Sequence, residues 1–206
     1  MNDIVECTET DTKKTITILG TGNRYQMKKV TGQKKEPKRR IIIERWGIPI
    51  DYFSLECQIE IVDCLYKYKN YERNNCPDTT DKYMEYYSIL RGQIEDKMTS
   101  YKHQDKLKNR LELDNFITYD CLLDCIHECR LKCHYCLQQT FILYEMSREM
   151  RQWTIDRVDN TIGHNKGNIV ISCLDCNLKR RSQNKDAFKF SKNLQIVRKS
   201  YIEEDN

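Results

Sequence analysis

Hydrophobic and polar positions divide the chain into a helical half and a half of short strands. Phe53, Cys57, Ile61, Cys64 and Tyr68 recur every three to four residues, with Glu56, Glu60 and Lys67 between them. This spacing predicts an amphipathic helix from Asp51, its expected cap, to about residue 73. A second stripe, Tyr83, Tyr87, Leu90, Ile94 and Met98, predicts a helix over about 80–109, capped by Asp78 or Thr79. A third helix is expected over about 114–131, where Cys121, Cys125 and Cys129 share one face. Beyond it the period shortens. Thr140–Tyr144, Trp153–Arg157 and Ile169–Ile171 each predict a strand, with Gly163 and Gly167 in the turn between the last two. Asn177 to Lys189 predicts a closing helix. Ahead of all this, residues 1–32 predict an irregular leader with one short strand at Thr15–Leu19, and residues 33–40 a basic linker containing Pro37.

The resulting organisation is α+β. It comprises a leader and linker (1–40), a helical region (41–112), a domain containing the strands (113–190) and a tail (191–206). With 39% hydrophobic and 32% charged residues, the core is expected to be thin. No run of about 18 apolar residues occurs, so no membrane span is expected. Residues 1–11 are acidic and polar and carry no secretory apolar region. The 11 cysteines then fit a reducing, intracellular compartment (cytoplasm, nucleus or virus-associated) better than a disulfide framework.

Four of the cysteines stand in two close pairs, Cys133-x-x-Cys136 and Cys173-x-x-Cys176, a spacing that offers four thiolates to one tetrahedral zinc ion. The 36 residues between the pairs (137–172) are too many for a plain ribbon loop and predict a β-hairpin with an inserted loop. Cys121, Cys125 and Cys129 read as small core residues rather than a second metal site, because His127 lies off their face. Net charge is +4, but the basic residues are grouped. One group is Lys34, Lys35, Lys38, Arg39 and Arg40. The other is Lys179, Arg180 and Arg181, with Lys185, Lys189 and Lys192 beyond. Either group alone fits a solvated face; together, beside a metal motif, they suit a phosphate backbone. The 13 tyrosines, many of them in residues 51–109, fit ordinary helix packing or a protein-docking surface.

The order Cys-x-x-Cys, Ile155-Asp156-Arg157-Val158-Asp159-Asn160, Gly163-His164, Lys166-Gly167-Asn168-Ile169-Val170, Cys-x-x-Cys-Asn177 resembles the zinc-bearing HNH endonucleases of the ββα-metal fold, in the variant common in phages and large DNA viruses. The resemblance covers about residues 115–185. It implies a structural zinc, a catalytic magnesium or similar divalent cation, and hydrolysis of nucleic-acid phosphodiesters, DNA rather than RNA. It also implies that Asp156 and Asn177 are the cation's ligands and that Asn168 braces the loop. At the position where the family carries its water-activating histidine stands Arg157. Arginine stays protonated and is a poor base, although it clamps phosphate well. His164 is the nearest histidine able to take a proton, with Asp159 the second candidate. Asp156 has a second reading, as a salt bridge to Arg157 or a turn cap. Two other functions therefore stand beside the nuclease. One is a binding module that has lost its chemistry. The other is a structural or interaction component of a viral assembly, docked through the helical half.

Overall fold

A computed structural model of the chain describes residues 32, 38–73 and 80–195. The chain separates into two compact units between Glu36 and Pro37, and every element named below belongs to the second. The expected strand at Thr15–Leu19, the basic residues Lys34 and Lys35, the caps Asp78 and Thr79, and the tail beyond residue 195 lie outside the described residues.

The first helix, α1 (Ile42–Trp46), ends at Gly47, whose φ of 61° is the left-handed conformation that closes helices. A 3-10 turn (Ile50–Phe53) then precedes α2 (Leu55–Lys67). Asp51 lies in that turn. The cap is Ser54, whose extended backbone lets its side chain accept from the Cys57 N–H. On α2 the expected stripe is buried at Cys57, Ile61 and Cys64. A 3-10 turn (Met84–Tyr86) leads into α3 (Tyr87–Leu107), the longest helix among the described residues. Helix α4 (Tyr119–Glu128) starts later than its apolar pattern suggests, with Thr118 accepting from the Cys121 N–H. The residues before it have other bonding partners. Asn115 and Ile117 exchange backbone hydrogen bonds with Lys166 and His164.

Strands β1 (Trp153–Arg157) and β2 (Ile169–Cys173) pair antiparallel, from Trp153 opposite Cys173 to Arg157 opposite Ile169. The strand expected at Thr140–Tyr144 does not form, for a specific reason. The buried side chain of Gln58 occupies the segment's backbone, its Oε1 accepting from Ile142 and Leu143 N–H at 2.9 Å each and its Nε2 donating to the Leu143 carbonyl. A glutamine therefore satisfies groups that a neighbouring strand would otherwise pair. The closing helix is two helices, α5 (Leu174–Arg180) and α6 (Lys185–Asn193). They part at Arg181, where φ is 53°, and Asn184 caps the second through the Asp186 and Ala187 N–H groups.

One apolar core joins Ile43 and Trp46 of α1, Ile61 and Leu65 of α2, Ile94 of α3, Leu122 and Ile126 of α4, and Trp153, Ile155 and Ile171 of the hairpin. Residues 41–112 and 113–190 thus share a core, and burying each such side chain contributes about 1.5–3 kcal/mol. A smaller cluster holds Cys133, Tyr135, Cys173, Cys176 and Phe188. The architecture is mixed helix and strand, and no helix among the described residues is long and apolar enough to cross a membrane.

Candidate functional site

The two cysteine pairs meet. Leu137, in the left-handed region at φ 60°, turns the first pair back so that its N–H donates to the Cys133 carbonyl. The second pair spans the β2–α5 junction, where Cys173 Sγ caps α5 by accepting from the Cys176 N–H. All four sulfurs lie within 4.8 Å of one another, with Cys136 and Cys173 Sγ at 3.9 Å. A tetrahedral ion with metal–sulfur bonds of about 2.3 Å needs sulfurs about 3.8 Å apart, so this cluster can hold a structural metal such as zinc. The closeness of the sulfurs couples them: Cys173 and Cys176 push the Cys133 thiol well below its usual range, and the same interaction pushes Cys173 and Cys176 above theirs. Cys121, Cys125 and Cys129 pack against the main core, and the described residues form no second group of this kind.

Asn168 hydrogen-bonds across the β1–β2 loop. Its Oδ1 accepts from Asp159 N–H (2.8 Å), and its Nδ2 donates to the carbonyls of Asp159 and Gly163. The loop then reaches α3. Asp105, fully buried, accepts from the His164 N–H at 2.6 Å through Oδ2. His164 Nδ1 lies 2.9 Å from both carboxylate oxygens of the same residue. An ionised carboxylate can only accept, so the ring proton sits on Nδ1 and Nε2 keeps its lone pair. Burial pushes the ring below the ordinary histidine value, opposed by the hydrogen bond and charge of Asp105. The ring is therefore neutral at pH 7, a poised acceptor. The other candidate base, Asp159, accepts from the N–H and hydroxyl of Thr161, which pushes its carboxyl below the usual range and makes it a weaker base.

His164, Asp156, Asn177, Lys108, Arg110 and Arg181 line one cavity of about 440 Å³. Asp156 is paired, but with Arg180 rather than Arg157. Arg180 Nε donates to its Oδ2 at 2.6 Å and Nη2 to its Oδ1 at 2.9 Å, while Tyr135, from inside the first cysteine pair, donates its hydroxyl to Oδ2 at 2.6 Å. Of the roughly four acceptor positions on a carboxylate, these three bonds leave one, on Oδ1. Asn177 donates its Nδ2 to Thr154 Oγ1 and the Ile155 carbonyl, so its Oδ1 is the free end. Arg157 is mostly buried, with Nη1 donating to the Ile162 carbonyl and lying 3.7 Å from Asp105.

The expected phosphate contacts divide. Arg180 is 1% exposed and committed to Asp156 and the Arg157 carbonyl, so it cannot serve as a surface contact. Arg40 is spent on Gln93 and the Tyr144 carbonyl, with its guanidinium over the Trp46 and Tyr144 rings. Arg39 pairs with Glu145 and Lys179 with Asp175. Lys38 and Arg181 are exposed and have no carboxylate partner among the described residues.

Two residues central to this site escaped sequence reasoning, Asp105 and Tyr135. A signal for Asp105 existed. Continuing the buried stripe Tyr87, Leu90, Ile94, Met98 and Tyr101 by one more turn lands an acid on the core face. Comparison of the chain with protein-family models, with curated proteins and with solved structures finds no match in any of the three.

Proposed function

We propose that the chain is an HNH-type endonuclease that hydrolyses phosphodiester bonds of DNA. The observation carrying this reading is His164, held by Asp105 in a cation-rimmed cavity that it shares with Asp156 and Asn177. His164 Nε2 takes the proton of the attacking water as the new phosphorus–oxygen bond forms and the bond to the leaving oxygen breaks, that oxygen taking a proton from solvent water. Arg157, Arg110 and Arg181 hold the phosphate and balance its growing charge. The open position on Asp156 Oδ1 and the free Asn177 Oδ1 would hold a divalent cation such as magnesium. Bound there, such a cation supplies positive charge to the scissile phosphate and the leaving oxygen. The four cysteines hold a structural zinc ion.

Nicking of supercoiled plasmid in magnesium tests this. Wild type should nick, and His164→Ala should lose about 10²–10⁴-fold in rate, the usual cost of a general base. Asp156→Ala should lose the divalent-stimulated nicking. Full activity in His164→Ala overturns the assignment.

One observation favours a second reading, a DNA-binding module without chemistry. Asp156 already has a full counter-charge in Arg180, which weakens its pull on a dication. Wild type that binds DNA yet nicks nothing across several divalent ions would support it.

A further inference from the structure

Helix α3 presents two stripes over its last two turns. Tyr101, Gln104 and Lys108 line the cavity that holds His164. Lys102, His103 and Lys106 line a second depression of about 680 Å³ on the same helix, closed by Asn109, Leu111 and Leu113. Lys102, Lys106, Lys108 and Arg110 form no ion pair with any carboxylate among the described residues. The one acid among them, Asp105, faces inward onto His164. Of the other acids nearby, Glu112 is bonded to Asn115 and Asp159 caps its own turn, while Asp114 is exposed. The crowding is visible at Lys108, whose ammonium is pushed below its usual value first by burial and then by Arg157 and Arg110. Elsewhere on the described surface, Lys67, Lys69, Lys82, Arg91, Arg130 and Lys179 each have a carboxylate, while Arg45, Lys132 and Lys166 have none among the described residues; the end of α3 differs in bringing four such cations within residues 102–110. Holding unpaired cations side by side costs repulsion, which a polyanion relieves.

We propose that the end of α3 is a track for the backbone of duplex DNA, gripped by Lys102 and Lys106 outside the cavity and by Lys108 and Arg110 at its rim. Residues 102–108, the end of α3 and its cap, rise about 9 Å, long enough to meet more than one phosphate of a strand. The track rests on reading the adjoining cavity as a phosphodiesterase site, because that continuity selects α3 over other lysine-bearing surfaces such as α6. It also moves the grip away from Arg40 and Arg180, which the fold has committed elsewhere.

The test is binding of a 20-base-pair DNA duplex, with magnesium withheld so that cutting cannot interfere, across a salt series. Lys102→Gln/Lys106→Gln should weaken binding by at least about tenfold at 0.1 M salt and reduce the log–log salt slope by about 1.8, two contacts' worth. Lys67→Gln/Lys82→Gln removes the same charge from residues paired with Asp81 and Glu60, and should change binding less than about twofold. Thermal melting of each variant confirms that the fold is intact. Equal effects from both pairs, or none from the first, overturn the track. Plasmid nicking by the wild type is scored separately. A protein that cuts nothing but loses binding in the first pair keeps the track and loses the nuclease reading. One that nicks and binds normally in the first pair does the reverse.

Discussion

Asp105 and His164, 59 positions apart, are joined twice: the same carboxylate accepts from the backbone N–H of His164 at 2.6 Å and from its ring Nδ1 at 2.9 Å. The first bond fixes where the loop sits and the second fixes which nitrogen is free. The helical half therefore does more than support the half that carries the cysteine cluster; it supplies the residue that orients the proposed base. Asp105→Asn should test this as a positioning role. An amide can donate as well as accept, so the ring can turn over to the wrong tautomer. kcat should fall by about 10²-fold or more, with KM little changed, since precedent for such a swap reaches about 10⁴. Loss of KM alone would point to a purely structural Asp105.

The direction of the His164 shift also sets a pH dependence. The folded ring titrates below the ordinary value of 6.5 and the unfolded ring near it, so between those two values the unfolded state holds more protons. Stability therefore rises with pH through that window, is fully present above 6.5 and is lost below the folded value. Activity should have an acid limb in the same place, below an ordinary histidine. Asp105→Asn removes the two influences that raise the ring's pKa, and should move that limb to lower pH. A limb above 6.5 would contradict burial as the dominant cause.

Sequence reading located what depends on local spacing. The two Cys-x-x-Cys pairs and the β1–β2 hairpin follow from patterns within a few residues or a single turn, whereas a loop-bracing Asn168 is implied only by the family resemblance. It missed what depends on tertiary choice. Arg180 reads as the middle of a basic run, yet α5 begins at Leu174 and puts Arg180 one turn beyond Cys176, on the buried face. Thr140–Tyr144 has the composition of a strand, but Gln58, more than 80 positions away, takes its hydrogen bonds. Asp105 lies outside the stretch that resembles a known family, so motif reasoning never weighed it.

The Asp156–Arg180 pair is buried on both sides, with side chains 7% and 1% exposed. Arg180→Ala leaves a buried carboxylate with only the Tyr135 hydroxyl, and should cost about 3–5 kcal/mol, as breaking one side of a buried pair does. Tyr135→Phe removes one bond to a charged acceptor and should cost about 1.5–3 kcal/mol. Because both donors serve one carboxylate, their effects should not add. Chemical denaturation of the two single variants and the double variant measures this, and strict additivity would mean the donors act independently.

Zinc should bind at one equivalent per chain, with Cys176→Ser reducing occupancy and lowering stability by several kcal/mol, since metal binding energy is folding energy at such sites. Tyr135 adds a consequence for the neighbouring cavity. It sits inside the first cysteine pair and holds Asp156, so chelation that loosens the pair should also free the Asp156–Arg180 contact. Metal analysis and nicking followed through the same chelator titration should fall together. Zinc loss that leaves both melting and nicking unchanged would place the cysteines outside the folding unit.

Gly163 provides the sharpest separation between folding and positioning. A Cβ there would lie 2.5 Å from the Arg110 carbonyl oxygen and 2.9 Å from Asp105 Oδ2. The first neighbour is backbone and cannot swing aside, so Gly163→Ala must push the loop away from α3. The displaced residue is adjacent to His164, whose N–H bond to Asp105 is the shortest in the loop's contact with the helix. Asn168→Ala acts on the same loop from its other end by removing three hydrogen bonds. That variant should cost about 1–3 kcal/mol, the usual range for leaving buried polar groups unmet. The two substitutions should differ in kind. Gly163→Ala should depress kcat strongly for a modest stability loss, because it moves the base by a fraction of an ångström where 1 Å can cost about 10²-fold. Asn168→Ala should lower melting temperature more and kcat less. The comparison needs only thermal melts and initial rates, and Gly163→Ala with wild-type kcat would show that His164 does not have to stay against Asp105.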